Sequence, residues 1–271
     1  MTSLLPDNFT FTQSSLQTFV NCKYQFYLRY IEHFLWPAPA TNDMLAFERD
    51  RSAGARFHQL VHQLLLGIPA ESLVRSAEND PDARVCRWFE LFRKSVYPRL
   101  SGELYPEYSL TVSLGGFSLS AKYDLLQVDA EHLTIYDWKT SRKKPARAWL
   151  EAQLQSKVFP LVLVEEYKLL ERAPAPAVFM LYWEVSEPDE PFVLTCGADR
   201  LAEDREFVLS LMANISASRP PDFLRTDDVQ RCRFCVYRSY CNRPGLAASP
   251  EDYLSETYLF NEDEHSLLYE D

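Results

Sequence analysis

The sequence has no hydrophobic run that approaches the roughly 18 apolar residues of a membrane-spanning helix. Its start, MTSLLPDNFTFTQSS, lacks the basic-then-apolar order of a secretory signal peptide, so we expect a cytoplasmic protein without membrane association. It also lacks the G-x-x-x-x-G-K-[ST] motif, and no nucleotide-driven motor is expected in this chain. With 271 residues, 46% of them hydrophobic, the chain can bury the core of one large domain with appendages.

The sequence also has no excess of positive charge: its formal net charge is -11. Such a charge excludes a protein that simply coats nucleic acid. Residues 250–271, however, hold eight carboxylates and no Lys or Arg, and without them the formal charge is only -3, which leaves room for a local basic groove. For this tail the composition favours solvated disorder. The alternative is a segment that docks on a protein partner or mimics DNA, because aromatic residues and leucines interrupt its acids.

The spacing of apolar residues predicts an α/β fold. Strands of alternating polarity form a β-meander in the middle of the chain, and helices precede and follow it. The predicted elements are helices over about 14–31, 53–67, 83–100, 148–170 and 199–218, meander strands within 108–114, 116–128 and 133–141, and a strand over 177–185.

The meander contains an acidic hairpin. If residues 129–132 form its loop, Asp124 lies directly opposite Asp137, with Cβ atoms about 4.5–5.5 Å apart. Two facing carboxylates repel unless a cation lies between them, and Mg²⁺ or Mn²⁺ prefers such oxygen ligands. Lys139 points to the same face as Asp137. These three residues suit metal-assisted phosphodiester hydrolysis, but on their own they favour an ordinary solvated hairpin with a weak Asp137–Lys139 surface pair.

Further motifs resemble the PD-(D/E)XK nuclease superfamily, and within it the RecB-type branch. AKYDLL (121–126) is followed by DWK (137–139), GARFH (54–58) resembles the helical G-x-x-x-H motif, and QSKVFPLVL from Gln155 resembles the Q-x-x-x-Y helix. The resemblance covers most of residues 14–245. It implies a restriction-endonuclease-like core with a central mixed sheet flanked by helices.

By this resemblance His58, Asp124 and Asp137 bind Mg²⁺ or Mn²⁺, Lys139 is the catalytic lysine, and Gln155 contacts DNA or orders the site. Two departures concern other positions. Ala121 replaces the glycine that usually precedes the first aspartate, and Phe159 replaces the tyrosine of the Q-x-x-x-Y helix. Neither removes a charge that the chemistry needs, although the second bears on how this helix positions DNA.

Two more residues near these motifs have side chains that can bind a metal. His62 lies one helical turn from His58, and Glu107 lies near the start of the meander. A lone histidine is more often structural, and a glutamate at this place is more often an ordinary strand-edge carboxylate. The sequence therefore favours the structural interpretation for both.

Three cysteines form a C-x2-C-x5-C motif, which is too dense for ordinary core thiols. Zinc and a [4Fe-4S] cluster both accept four thiolates, and spacing alone does not separate them. The resemblance implies a [4Fe-4S] cluster, because iron–sulfur members of the branch add one cysteine from the first helix, although Lys23 stands where they usually have proline. The ligands are then Cys22, Cys232, Cys235 and Cys241, whereas Cys86 and Cys196 are expected to be plain buried thiols.

Five cations and no acid lie between Lys139 and Leu150, of which Arg142, Lys143, Lys144 and Arg147 follow the catalytic lysine. Beside a metal site this run is expected to grip phosphates in a sequence-independent way. Trp138 and Trp149 are close enough to stack single-stranded bases, but core packing is the favoured role for each.

These features predict a metal-dependent deoxyribonuclease acting on single strands or DNA ends, in DNA repair, recombination, defence or CRISPR adaptation. The alternative is a catalytically idle DNA-end-binding or partner-docking module. A helicase or a CRISPR integration complex would act in trans. The predicted organisation is one nuclease domain over 1–246, followed by the acidic tail 247–271. The domain contains a helical insertion at about 59–104 and the cysteine motif at 232–241, and the cluster joins its N- and C-terminal segments.

Overall fold

The computed structural model describes residues 3–36, 42–141, 145–169, 177–232 and 235–243. Within these ranges no helix is long and apolar enough to span a membrane. In chain order the elements are β1 (Thr10–Thr12), α1 (Gln13–Asn21), α2 (Lys23–Phe26), a π-helical turn (Tyr27–Ile31), α3 (Asn42–Leu65), α4 (Ala70–Glu78), α5 (Ala83–Ser95), a 3₁₀ turn (Tyr97–Arg99), β2 (Glu103–Leu114), β3 (Phe117–Val128), β4 (His132–Lys139), α6 (Arg147–Ala152), α7 (Leu154–Leu169), β5 (Ala177–Glu184), β6 (Phe192–Thr195), α8 (Ala198–Ala217) and 3₁₀ turns at Pro220–Asp222 and Val229–Cys232.

The strands form one mixed sheet, and the predicted meander is its centre. β2 pairs antiparallel with β3 along one edge, while β1 and β4 share the other edge of β3. β4 pairs antiparallel with β3 from Leu125–Tyr136 to Val128–Leu133, which is the predicted register. β5 then lies parallel to β4, and β6 antiparallel to β5.

Helices cover both faces of the sheet. On one face a core cluster joins side chains of α1, α7 and α8 to alternate residues of the strands, such as Leu133 and Ile135 of β4. On the other face a second cluster joins α3, α4 and α5 to the intervening residues, such as Tyr136 and Trp138. The expected α/β architecture with a mixed central sheet between helices is confirmed.

Two predicted helices are interrupted beside candidate site residues. The first breaks at Cys22, which has an extended backbone (φ -160°) and caps α2 with its Sγ atom, 3.4 Å from the Gln25 amide. The helix after β4 breaks at Gln153, also extended, so that Gln155 lies in the first turn of a new helix, α7. Apolar spacing runs through both breaks, and this is why the sequence alone predicts continuous helices.

The β2–β3 ribbon changes face in the middle. Leu110 of β2 belongs to the first cluster, whereas Leu104 packs against the second, although both positions have the same parity. Tyr123 and Leu125 of β3 show the same change. Because residues two apart in a regular strand share a face, the ribbon must be distorted between them. The distortion lies at Glu107 and Asp124, which face each other between the pairs Pro106–Leu125 and Tyr108–Tyr123.

Candidate active site

Asp124 lies where β4 separates from β3, one step beyond the last paired residues. Its Oδ2 atom accepts a hydrogen bond from the Trp138 amide at 2.7 Å, so the carboxylate replaces the lost strand partner. Its Oδ1 atom is 3.3 Å from Nδ1 of His58 on α3. The other imidazole nitrogen, Nε2, is 3.2 Å from the Trp138 carbonyl oxygen. The Nδ1 atom donates to Asp124, and a cation bound there would take the place of that proton. The Trp138 carbonyl holds the second ring nitrogen, as in many metal-binding imidazoles.

Lys139, Asp137 and Gln155 form a second, buried group. The Lys139 ammonium lies 2.6 Å from Asp137 Oδ1 and donates to Gln155 Oε1 at 3.0 Å. The Gln155 amide nitrogen donates to Asp137 Oδ2. Asp137 Oδ1 accepts no well-aligned hydrogen bond among the described residues, so its contact with the ammonium is an ion pair. All three residues are at most 7% exposed.

Each charge in these two groups depends on its neighbours. The pKa of the Asp137 carboxyl is raised to about 6, mainly by burial and also by the Asp124 charge, against the effect of Lys139. Burial also opposes ionisation of Asp124, but His58 and the Trp138 amide outweigh it and lower the Asp124 pKa. For Lys139 burial lowers the pKa, yet the Asp137 charge prevails and the net pKa is raised. The ammonium is therefore retained at neutral pH.

The predicted pair of facing carboxylates is thus only partly realised. The register is the predicted one, but each aspartate has its own partners, since the two strands part before they reach Asp124 and Asp137. Among the described residues, the one group whose ligand atoms all lie within 4.8 Å of one another consists of His58, Glu107 and Asp124. It contains neither Asp137 nor His62. Glu107, which the sequence favours as an ordinary strand-edge carboxylate, thus lies within ligand distance of His58 and Asp124.

Glu184 is a charged neighbour that sequence reasoning missed. It lies beside Lys139 in the parallel β4–β5 register and is 2% exposed. It accepts a hydrogen bond from the Ser141 hydroxyl at 2.8 Å, and its charge contributes to the raised pKa of Lys139. A carboxylate ending the apolar run AVFMLYWE was the available signal, because burial of such a residue requires a partner.

A family model of the PD-(D/E)XK nuclease superfamily matches residues 10–242. The chain belongs to this superfamily. A comparison with curated protein sequences finds no significant match. Among solved structures, a protein of Eubacterium rectale provisionally named an exonuclease is similar, with a TM-score of 0.53, 11% identity and coverage of 90% of this chain and 92% of that one. The structure of SSO0001 matches with a TM-score of 0.42, 13% identity and coverage of 86% and 85%. At 11% identity the Eubacterium rectale protein shows only that the fold is shared.

The basic run of this nuclease leaves the site at the end of β4. Arg142, Lys143 and Lys144 lie outside the described residues. Arg147 is exposed at the start of α6, with its guanidinium 5.6 Å from the centre of the Phe192 ring. The two tryptophans have the favoured packing role, since Trp138 is buried in the second cluster and Trp149 packs against the first.

The four predicted cluster cysteines of the nuclease line one small cavity. Cys22 comes from the break between α1 and α2, and Cys232, Cys235 and Cys241 come from the end of the described chain. The pKa of the Cys235 thiol is raised to about 12, mainly by burial and also by the neighbouring thiols. The arginines that line the same cavity are Arg225, Arg231, Arg238 and Arg243.

The remaining predictions concern ordinary packing. Phe159 is buried, and its backbone carbonyl accepts a 3.1 Å hydrogen bond from the Tyr123 hydroxyl. Cys196 is buried in the first cluster and Cys86 packs against the second. Neither lines the cysteine cavity, which agrees with the interpretation of both as plain thiols. The acidic tail 247–271 lies outside the described residues.

Proposed function

We propose that this nuclease is a deoxyribonuclease dependent on Mg²⁺ or Mn²⁺, which hydrolyses phosphodiester bonds of single-stranded DNA or DNA ends and leaves a 5′-phosphate. The observation that carries the proposal is the buried Lys139–Asp137–Gln155 group next to the His58–Asp124 pair. A buried lysine held between a carboxylate and an amide has a fixed position, and this is what charge stabilisation in a transition state requires.

The residues fit a divalent cation. One imidazole nitrogen and two carboxylates lie within mutual ligand distance at a half-buried place, and a further carboxylate stands beside them. His58, Asp124 and Asp137 are the proposed ligands. When bound, the cation polarises the phosphate and lowers the pKa of an attacking water.

The chain's own groups supply the remaining requirements. Lys139 places a permanent ammonium beside the ligands, where it can hold the attacking water or balance the charge that develops on the phosphate. Gln155 fixes that ammonium by accepting from it while donating to Asp137. Glu184, on the neighbouring strand β5, helps Asp137 to keep the lysine charged.

The substrate path is inferred from the basic run after β4. Arg142, Lys143, Lys144 and Arg147 follow Lys139 directly, so phosphates gripped there lie next to the site. The exonuclease name of the Eubacterium rectale protein with the same fold agrees with action on DNA ends. We place the enzyme in the cytoplasm, in DNA repair, recombination, defence or CRISPR adaptation, with a helicase or an integration complex in trans.

For the cysteine cavity we propose a [4Fe-4S] cluster, with zinc as the alternative. Four partly buried thiols around one cavity repel one another when ionised, so a cation between them is needed to keep them as thiolates. Surrounding arginines suit the negative charge of a cluster bound by four thiolates. The site joins Cys22 to cysteines more than 200 residues later, and its role is to hold both ends of the chain against the nuclease core.

A second candidate function is a DNA-end-binding or partner-docking module without catalysis. The sequence of the acidic tail favours this second function, because eight carboxylates interrupted by aromatic residues suit binding to a protein partner or to a basic groove. The intact quartet of His58, Asp124, Asp137 and Lys139 speaks against it, since binding alone does not need a buried lysine–aspartate pair.

The test is incubation with end-labelled single- and double-stranded DNA in Mg²⁺, Mn²⁺ or EDTA. We expect cleavage that needs the metal and is lost in Asp137→Ala. The matched control is Asp199→Ala, an exposed aspartate in the first turn of α8, which should cleave as the wild type does. Equal cleavage by Asp137→Ala and wild type would overturn the catalytic assignment. DNA binding that hardly weakens as salt rises would overturn the phosphate-gripping role of the basic run.

A further inference from the structure

Glu107 has a backbone conformation that its residue type disfavours. Its φ angle is +52° in the middle of β2, in the left-handed region that glutamate rarely enters. Glycine or asparagine would adopt this conformation at lower cost. Glu107 therefore strains the backbone at the place where the β2–β3 ribbon changes face, although glycine or asparagine would allow the same conformation at lower cost.

The conformation directs the Glu107 carboxylate toward the active site. A carboxylate oxygen of Glu107 lies within 4.8 Å of the ligand atoms of His58 and Asp124. Another contact of the same side chain is with Lys122 of β3, whose ammonium is 2.8 Å from Glu107 Oε2. This ion pair is partly exposed, with side-chain exposures of 42% for Lys122 and 23% for Glu107. Pairs of this kind stabilise proteins too little to offset a strained backbone.

We propose that Glu107 is a further carboxylate ligand of the active-site cation, and that the Lys122 ammonium, which pairs with it in the metal-free protein, competes with the cation for it. The inference rests on the proposed function and adds a residue to its metal site. A set of His58, Asp124 and Glu107 supplies one nitrogen and two carboxylates at the half-exposed side of the site. Asp137 remains beside Lys139 and Gln155 at the buried side. Hard divalent cations take several oxygen ligands, so the carboxylates of Glu107, Asp124 and Asp137 can all bind one cation.

Metal binding in the absence of DNA tests the proposal directly. Titration of the full-length protein with Mn²⁺, followed by calorimetry and by the electron paramagnetic resonance signal of free Mn²⁺, measures affinity without any cleavage. We expect Glu107→Gln to weaken Mn²⁺ binding by about 10- to 100-fold. Glu103→Gln on the same strand is the matched control, because Glu103 is exposed and accepts from the Tyr105 hydroxyl, and its affinity should equal that of the wild type.

Two further variants separate a ligand from a structural ion pair. Glu107→Gly removes the carboxylate and the backbone strain together, so we expect weaker Mn²⁺ binding but a Tm without metal that is equal to or above that of the wild type. Lys122→Met removes only the competing ammonium, and Mn²⁺ affinity should be kept or increased. If Lys122→Met weakens binding as much as Glu107→Gln does, the carboxylate acts through the ion pair and the proposal is wrong.

Asp124→Asn distinguishes this inference from the proposed function. If Asp124→Asn loses Mn²⁺ binding and Glu107→Gln keeps it, the metal site stands and only the role of Glu107 is overturned. If the wild type itself binds no Mn²⁺, the metal-dependent function fails together with the inference. The expected pattern, loss in Asp124→Asn and in both Glu107 variants, supports both.

Discussion

The ammonium of Lys139 lies 2.6 Å from Oδ1 of Asp137, and the two side chains are only 8% and 6% exposed. An ion pair with so little solvent contact is costly to form and still more costly to break, because removing one partner leaves the other as an unpaired buried charge. Such a pair is unusual at the end of a strand that serves packing alone. Here it stands beside the partly exposed His58–Asp124 pair, where a phosphate can approach it.

Replacing Lys139 by methionine is expected to reduce cleavage by about 10²- to 10³-fold, because a charge that stabilises the transition state is lost. The free energy of unfolding should fall by about 3 kcal/mol at pH 8, where Asp137 is left ionised and unpaired, and by less at pH 5, where Asp137 is protonated. Urea unfolding at both pH values measures this difference. Lys94→Met is the control, since the Lys94 side chain is 76% exposed. Unchanged cleavage in Lys139→Met would contradict the assigned role.

Gln155→Leu tests the positioning of that ammonium. The amide holds Lys139 and Asp137 in one geometry, so its loss should lower kcat by about 10- to 100-fold, while KM for DNA changes little. Single-turnover cleavage over a range of DNA concentrations separates the two constants. Gln59→Leu, an exposed position on α3, should leave both unchanged. A rise in KM with constant kcat would instead assign Gln155 to DNA binding.

Metal affinity should depend on pH through Asp137. In the metal-free protein its pKa is raised to about 6, mainly by burial. Below that pH the carboxyl is protonated, and a cation must displace the proton, so affinity should fall as pH falls and level off above pH 6. Mn²⁺ titrations between pH 5 and 8 measure the slope. The variant Asp137→Asn should bind Mn²⁺ more weakly, and its affinity should depend less steeply on pH, because no proton has to leave residue 137. An identical pH dependence in both proteins would show that Asp137 is not a ligand.

The cysteine cavity predicts a coloured protein. Purified without air, the nuclease should be brown and contain iron and sulfide, and Cys235→Ser should lose both and unfold at a lower temperature. Cys86→Ser is the control, because Cys86 packs against the second core cluster away from the cavity and should keep its iron. A colourless wild type with one equivalent of zinc would decide for the alternative.

Asp82 offers a test of stability that is separate from catalysis. It caps α5, and its hydrogen bond with Arg84 lowers its pKa to about 2. A lowered carboxyl pKa stabilises the fold above the unfolded value of 3.8, and the contribution is lost as pH falls through about 2. Asp82→Asn keeps a good helix cap but removes the charge, and should cost about 1 kcal/mol at pH 7 and almost nothing below pH 2, with cleavage unchanged. Equal destabilisation at both pH values would contradict the ionic origin.

The sequence by itself determined the α/β class, the meander and the register of its hairpin. A loop of known length fixes which residues of the hairpin pair, from Leu125–Tyr136 to Val128–Leu133. The same local rules place Lys139 on the side of Asp137. Motif spacing also indicated three of the cysteines and the resemblance the fourth, Cys22, and the fold brings all four to one cavity.

Only the tertiary structure decided which partner each active-site carboxylate has. Whether Asp124 faces Asp137 or turns to His58 depends on where β3 and β4 part, and this is set by helices packed on both faces of the sheet. The left-handed Glu107, the buried Glu184 and the helix break before Gln155 likewise leave no periodic signal in the sequence, because each arises from contacts between residues far apart in the chain. Periodicity reports which face a residue takes, and it does not report which partner it meets there.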